Sequence, residues 1–125
     1  KGIREFVVPL CATVHLSGST ITLTTCAIAV MMLNGMPGTL SGMAGFIFML
    51  GVTMVAAPGV PGGAVMAALG ILQSMLGFSE AQLALMIALY LAQDSFGTAC
   101  NVSGDNAIAL IVDKIAGSSL SPQKS

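Results

Sequence analysis

The stretch APGVPGGAV, residues 57–65, decides how this chain is read. Two prolines and three glycines fall between Pro58 and Gly63. Proline removes a backbone donor and clashes with the preceding helical turn, so the chain must bend there. Apolar sequence flanks the bend on both sides, over about residues 39–57 and 63–76. As helix, the second arm of about 14 residues reaches about 21 Å, short of the roughly 30 Å of a bilayer's hydrocarbon core. A full crossing is therefore not expected of it.

Composition says what solvent surrounds the bend. The chain has 125 residues, 55% of them hydrophobic and 7% charged, with a mean hydropathy of +0.94. Soluble domains carry about 25% charged residues. Lys1, Arg4, Lys114 and Lys124 are the only basic residues, so nothing from Glu5 to Asp113 is cationic. Such a chain cannot cover a water-facing surface. We read it as an all-α membrane protein, multi-pass in the cell membrane with the lipid bilayer as a partner. Residues 39–76 are then expected to form a re-entrant helical hairpin with its tip, 58–63, at depth. Irregular backbone at that depth is tolerated only inside protein or along a cavity. The tip is thus a candidate site, with an ordinary exposed interhelical loop as the alternative.

Other classes find little support. A net charge of −1 without a basic patch argues against nucleic acid. With one tyrosine and no tryptophan, the chain lacks the usual interfacial belt, which points to a surface meeting other protein. Cys11, Cys26 and Cys100 show no metal or redox spacing and read as packing residues. Methionines such as Met31, Met32, Met49 and Met54 read as flexible core filling, and no transition-metal site is expected. Neither a Ser/His/Asp motif nor HExxH is present, and GVPGG lacks a phosphate loop's Lys-Ser/Thr ending, so enzyme chemistry is not expected. The opening KGIREFVVPL has no initiator methionine and no small-residue cleavage site, so the start is expected to be internal to a longer protein.

Outward from the bend, residues 6–33 are long enough for a transmembrane helix, interrupted by TVHLSGST at 13–20, where Gly18 lies between Ser17 and Ser19. NGMPG, 34–38, is a turn. In GFSEAQ, Ser79 is a plausible N-cap and Glu80 suits the positive end of the helix dipole. A second transmembrane helix is expected over 80–115, then a polar cytoplasmic tail over 116–125. The basic residues at both ends place both termini in the cytoplasm. Two crossings plus the hairpin satisfy that rule, and so would four crossings.

Within the last helix, Asp94, Thr98, Asn101 and Asp105 are spaced by four, three and four residues and share one stripe. An intramembrane carboxylate costs about 3 kcal/mol on insertion scales. No Lys or Arg within the apolar sequence can pair with Asp94 or Asp105, so protonation, a bound cation or water in a cavity must offset them. Oxygen-rich side chains joined by unwound carbonyls suit Na⁺. The alternative is a polar helix–helix contact with protonated acids. His15, the only histidine, lies beside the expected helix break and could bind a proton or simply pack.

FVVPLCATVHLSGS (6–19), APGVPGGAV (57–65) and DSFGTACNVSGDNAIALIVDK (94–114), in that order, resemble the C-terminal part of the dicarboxylate/amino acid:cation symporters, the glutamate transporter family. The three resemble its seventh transmembrane helix, second re-entrant hairpin and eighth transmembrane helix. The resemblance implies half of a transport domain that moves like an elevator in a homotrimer, with scaffold and first hairpin in the remainder of the transporter. It implies no cofactor, with Na⁺ as coupling ion and H⁺ as a further possibility, and a small-molecule substrate: an amino acid or small carboxylate. Carried over by position, Asp94, Thr98, Asn101 and the hairpin-tip residues Val60, Pro61 and Gly62 would meet substrate. Asn101, Asp105, His15 and Ser17 would fall at cation sites. Gly97 stands where members for acidic amino acids have an arginine, and His15, Leu16 and Ser17 stand where Asn-Met-Asp is usual. The hairpin tip also lacks hydroxyls before its glycines. Fewer sodium ions, or a proton on His15, is the expectation that follows. A non-transporting membrane subunit whose polar stripe is helix–helix glue is the alternative.

Overall fold

A computed structural model describes residues 2–117, and all regular elements among them are helical: α1 (Gly2–Val14), α2 (Ser17–Leu33), α3 (Leu40–Met54), α4 (Gly63–Leu76) and α5 (Glu80–Gly117). Lys1 and residues 118–125, with Lys124 and most of the expected cytoplasmic tail, lie outside the described residues.

The expected interruption of the first apolar segment is confined to His15 and Leu16, where Leu16 adopts φ −113 and ψ 43. Thr13, Thr20 and Thr22 stay helical despite their low propensity. Their hydroxyls donate to backbone carbonyls of the preceding turn, on Leu10, Leu16 and Gly18, a habit that bends helices rather than ending them. α2 closes on a left-handed Gly35 (φ +64), with Gly35 N–H donating to Met32 O and Met36 N–H to Met31 O, the paired bonds of a Schellman stop.

Thr39 caps α3, its hydroxyl accepting from Gly42 N–H at 3.3 Å. α3 and α4 have 15 and 14 residues, so each reaches only about 21–23 Å. Between them the chain turns through 55–62, and Gly62, at φ +74, opens α4. The α4–α5 connection is short. Gly77 (φ +70) ends α4, and Ser79 with Gln82 forms a reciprocal cap on α5: Ser79 N–H donates to Gln82 Oε1 at 2.8 Å and Gln82 N–H to Ser79 Oγ at 3.4 Å.

Two stretches are long and apolar enough to cross a membrane, Glu5–Leu33 and Glu80–Ala116. α5 is the spine: α1 and α2 lie along it, and α4 packs on it while pairing with α3. The main core lies between α2, the hairpin and the first half of α5, with Tyr90, Phe46, Phe78, Leu23, Leu50 and Met86 fully buried. Outward faces stay apolar, as at Ile21, Phe48 and Phe96, the last 73% exposed. Such a surface suits lipid or further protein rather than water.

Candidate functional site

Polar groups of α5 meet the two irregular parts of the chain, the hairpin tip and the α1–α2 break, along about 16 Å of helix between Asp94 and Asp105. Asp94 faces the tip. Its Oδ2 accepts a 2.9 Å hydrogen bond from Gly62 N–H, one of the amides that the start of α4 leaves without a partner inside its own helix. Gly62 is at φ +74, so glycine is required by conformation, and a Cβ there would also displace the exposed end of Leu91.

Asn101 holds the start of α2. The residue before that helix, Leu16, offers no side-chain cap. Asn101 Oδ1 reaches across from α5 and accepts from Gly18 N–H at 2.8 Å and Ser19 N–H at 3.4 Å, while its Nδ2 donates to Ser19 Oγ at 2.9 Å. A buried amide thus serves as an N-cap supplied by another helix. The close approach depends on small residues. Gly97 is buried at the crossing, and its Cβ position would lie 3.3 Å from Thr22 Oγ1 and 3.5 Å from Ser19 Cα.

Asp105 pairs with the break itself. His15 Nδ1 and Asp105 Oδ1 lie 2.9 Å apart, a spacing at which Nδ1–H donates to the carboxylate. Gly104 lets the imidazole lie flat against α5, because a Cβ there would overlap the ring. On the side away from α5, His15 borders an open cavity of about 350 Å³ lined also by Leu16, Ser17, Thr20, Gly51 and Met54. No lysine or arginine pairs with either carboxylate among the described residues, and each finds a neutral-capable donor instead: an imidazole 90 residues away for Asp105 and a backbone amide for Asp94.

Among the remaining expected site residues, Thr98 is exposed at the edge of the face on which Asn101 is buried, and Ser17 is exposed at the first position of α2. Val60 and Pro61 are exposed on the tip, with Gly62 buried beside them. Ser19 and Tyr90 escaped the sequence reading. Ser19 is buried, and its hydroxyl is Asn101's acceptor. Tyr90 is fully buried, and its hydroxyl has no hydrogen-bond partner among the described residues, a deficit worth about 1–3 kcal/mol. No three His, Cys, Asp or Glu side chains cluster as a metal-binding set among the described residues.

Two membrane-length helical stretches, one of them broken, flank a short-armed hairpin, and two half-buried carboxylates of α5 face the break and the hairpin tip, an arrangement compatible with a membrane protein of the solute-transport class. The chain belongs to the sodium:dicarboxylate symporter family, which matches residues 1–115. No curated protein and no solved structure matches it. The family is one of cation-coupled membrane transporters and not of enzymes.

Proposed function

We propose that this chain forms the C-terminal half of a transport domain that moves an amino acid or small carboxylate with Na⁺ by elevator-type alternating access. In this reading α1 and α2 are one interrupted transmembrane helix, α3 and α4 a re-entrant hairpin, and α5 the last crossing. The scaffold and first hairpin come from the rest of a trimeric protein, and both termini are cytoplasmic. The observation that carries the proposal is the convergence of the hairpin tip and the broken helix on one face of α5. Secondary transporters build their sites where discontinuous helices meet near the midplane.

Asp94, Thr98 and Asn101 would contact substrate, with Val60, Pro61 and Gly62 covering it. Asp105 and Ser17 would serve the cation, beside an α2 start held by Asn101. Gly97 places no positive charge opposite a substrate's side-chain carboxylate, so the cargo need not be acidic beyond its main carboxylate. Protonation of His15 puts a positive charge 2.9 Å from Asp105 and thereby substitutes for one bound cation.

Uptake by the full-length protein in proteoliposomes tests both parts. Asp105→Asn is expected to abolish Na⁺-dependent uptake, and unchanged uptake would remove the cation role. A pH gradient is expected to drive uptake in the wild type and to lose its effect in His15→Asn. Indifference of the wild type to that gradient would sink the proton role. The alternative reading, helix–helix glue in a non-transporting subunit, draws on the way Asn101 directs its bonds into the α2–α5 crossing.

A further inference from the structure

Tyr90 is the unexplained group beside this site. It lies one helical turn before Asp94 on α5, so the two side chains stack on one face. Asp94 and Ser19 are the polar neighbours of its hydroxyl, yet the hydroxyl closes a hydrogen bond with neither. Ser19 Oγ is engaged by Asn101, and Asp94 is drawn towards Gly62. Each potential acceptor is thus oriented by another donor, away from the Tyr90 hydroxyl, although neither is saturated by it.

We propose that Tyr90 is a positioning residue for Asp94, forming the second station of a two-position carboxylate. With the hairpin tip seated, Asp94 accepts from Gly62 N–H and the Tyr90 hydroxyl stays unpaired. When the tip lifts, Asp94 turns one helical turn back and accepts from Tyr90 O–H. The carboxylate keeps one protein donor in either arrangement, so the tip can leave without stranding a bare charge. A ligand carrying an ammonium group would compete at the same oxygen atoms. That last clause rests on the transporter reading, whereas the exchange of donors does not.

The test reads tip motion directly, in the full-length protein in lipid vesicles. Ala64, buried in the first turn of α4, becomes a reporter as Ala64→Cys, with the exposed native Cys100 replaced by alanine. Its modification rate by a membrane-impermeant methanethiosulfonate reports opening. Tyr90→Phe keeps the ring and its packing but removes the open-state donor, so the rate is expected to fall about fivefold or more. Tyr90→Leu is expected to act in the same direction, should the phenylalanine variant assemble poorly. In an Asp94→Ala background, which leaves no acceptor at that position, the effect of Tyr90→Phe is expected to disappear. An unchanged rate in Tyr90→Phe, an equal fall with Ala at 94, or a fall of the same size in Ser19→Ala would each overturn the proposal. Uptake in the same vesicles reads the transporter function separately, so loss of that reading leaves the labelling result standing.

Discussion

Replacing Gly18 by alanine is expected to be among the most damaging single-methyl changes available in this chain. Gly18 lies where the start of α2 crosses α5. A Cβ there would overlap the Gly97 carbonyl oxygen, come within 2.7 Å of Cys100 Cβ and lie 3.1 Å from Asn101 Oδ1. Carbon atoms pack at about 3.5–4.0 Å, so α2 must retreat by about 0.8 Å or more. Two of these obstacles are the Gly97 carbonyl and a Cβ, which cannot rotate away as the end of a long side chain could. That retreat stretches the 2.8 Å bond from Gly18 N–H to Asn101 Oδ1 beyond about 3.5 Å, where it ceases to be a hydrogen bond. Overpacking costs about 1–3 kcal/mol and a stranded buried amide a similar amount, giving about 2–6 kcal/mol in total. The facing residue is the control. A Cβ on Gly97 would meet Thr22 Oγ1 at 3.3 Å and Gly18 C and Ser19 Cα at 3.5 Å, so Gly97→Ala should stay within about 1 kcal/mol of wild type, helped by alanine's better helix propensity. Denaturation of the full-length protein by SDS titration in mixed micelles measures both. Gly18→Ala within about 0.5 kcal/mol of wild type, or equal losses for the two variants, would refute the crossing geometry.

Gly104→Ala should displace the His15 ring from Asp105, because the new methyl would occupy the space of the imidazole. Uptake in this variant is expected to lose its response to a pH gradient, as in His15→Asn, although no titratable group has been removed. Ser79→Ala breaks the reciprocal cap of α5 and is expected to cost about 1 kcal/mol in the same denaturation assay without altering substrate affinity.

Much of the architecture was legible from local chemistry. The Pro/Gly run at 58–63 breaks any helix by itself, and the Ser-Gly-Ser run at 17–19 lies next to the real break. Ser79 announces α5 because a capping hydroxyl acts on amides only two or three residues away. The pairings were not legible, since each depends on how α5 is rotated against its neighbours. Asn101 stands out from its place on the polar stripe and from the family resemblance, and neither signal shows that it also accepts from amides of α2, 82 and 83 residues distant in sequence. His15 and Asp105 were each singled out, yet nothing in the spacing joins them. Tyr90 drew notice only as the one tyrosine. Its burial follows from α2 and the hairpin closing over the same face of α5.

The hairpin is fastened very unequally at its two ends. At the base, Gly77 and Phe78 bond back to the last turn of α4 and Phe78 is buried. There too, Gln82 both caps α5 and donates to Met36 Sδ at 3.3 Å. At the far end, the bond from Gly62 to Asp94 is the only hydrogen bond that the tip makes to another element among the described residues. α4 is thereby a lever with a firm fulcrum and a single catch. With an arm of about 21 Å, a tilt of about 10° sweeps the tip through about 4 Å, enough to part that bond while the fulcrum shifts by little. Apart from the apolar packing of Val65, Ala68 and Leu72 along the arm, the polar hold on the tip is consequently concentrated on one carboxylate.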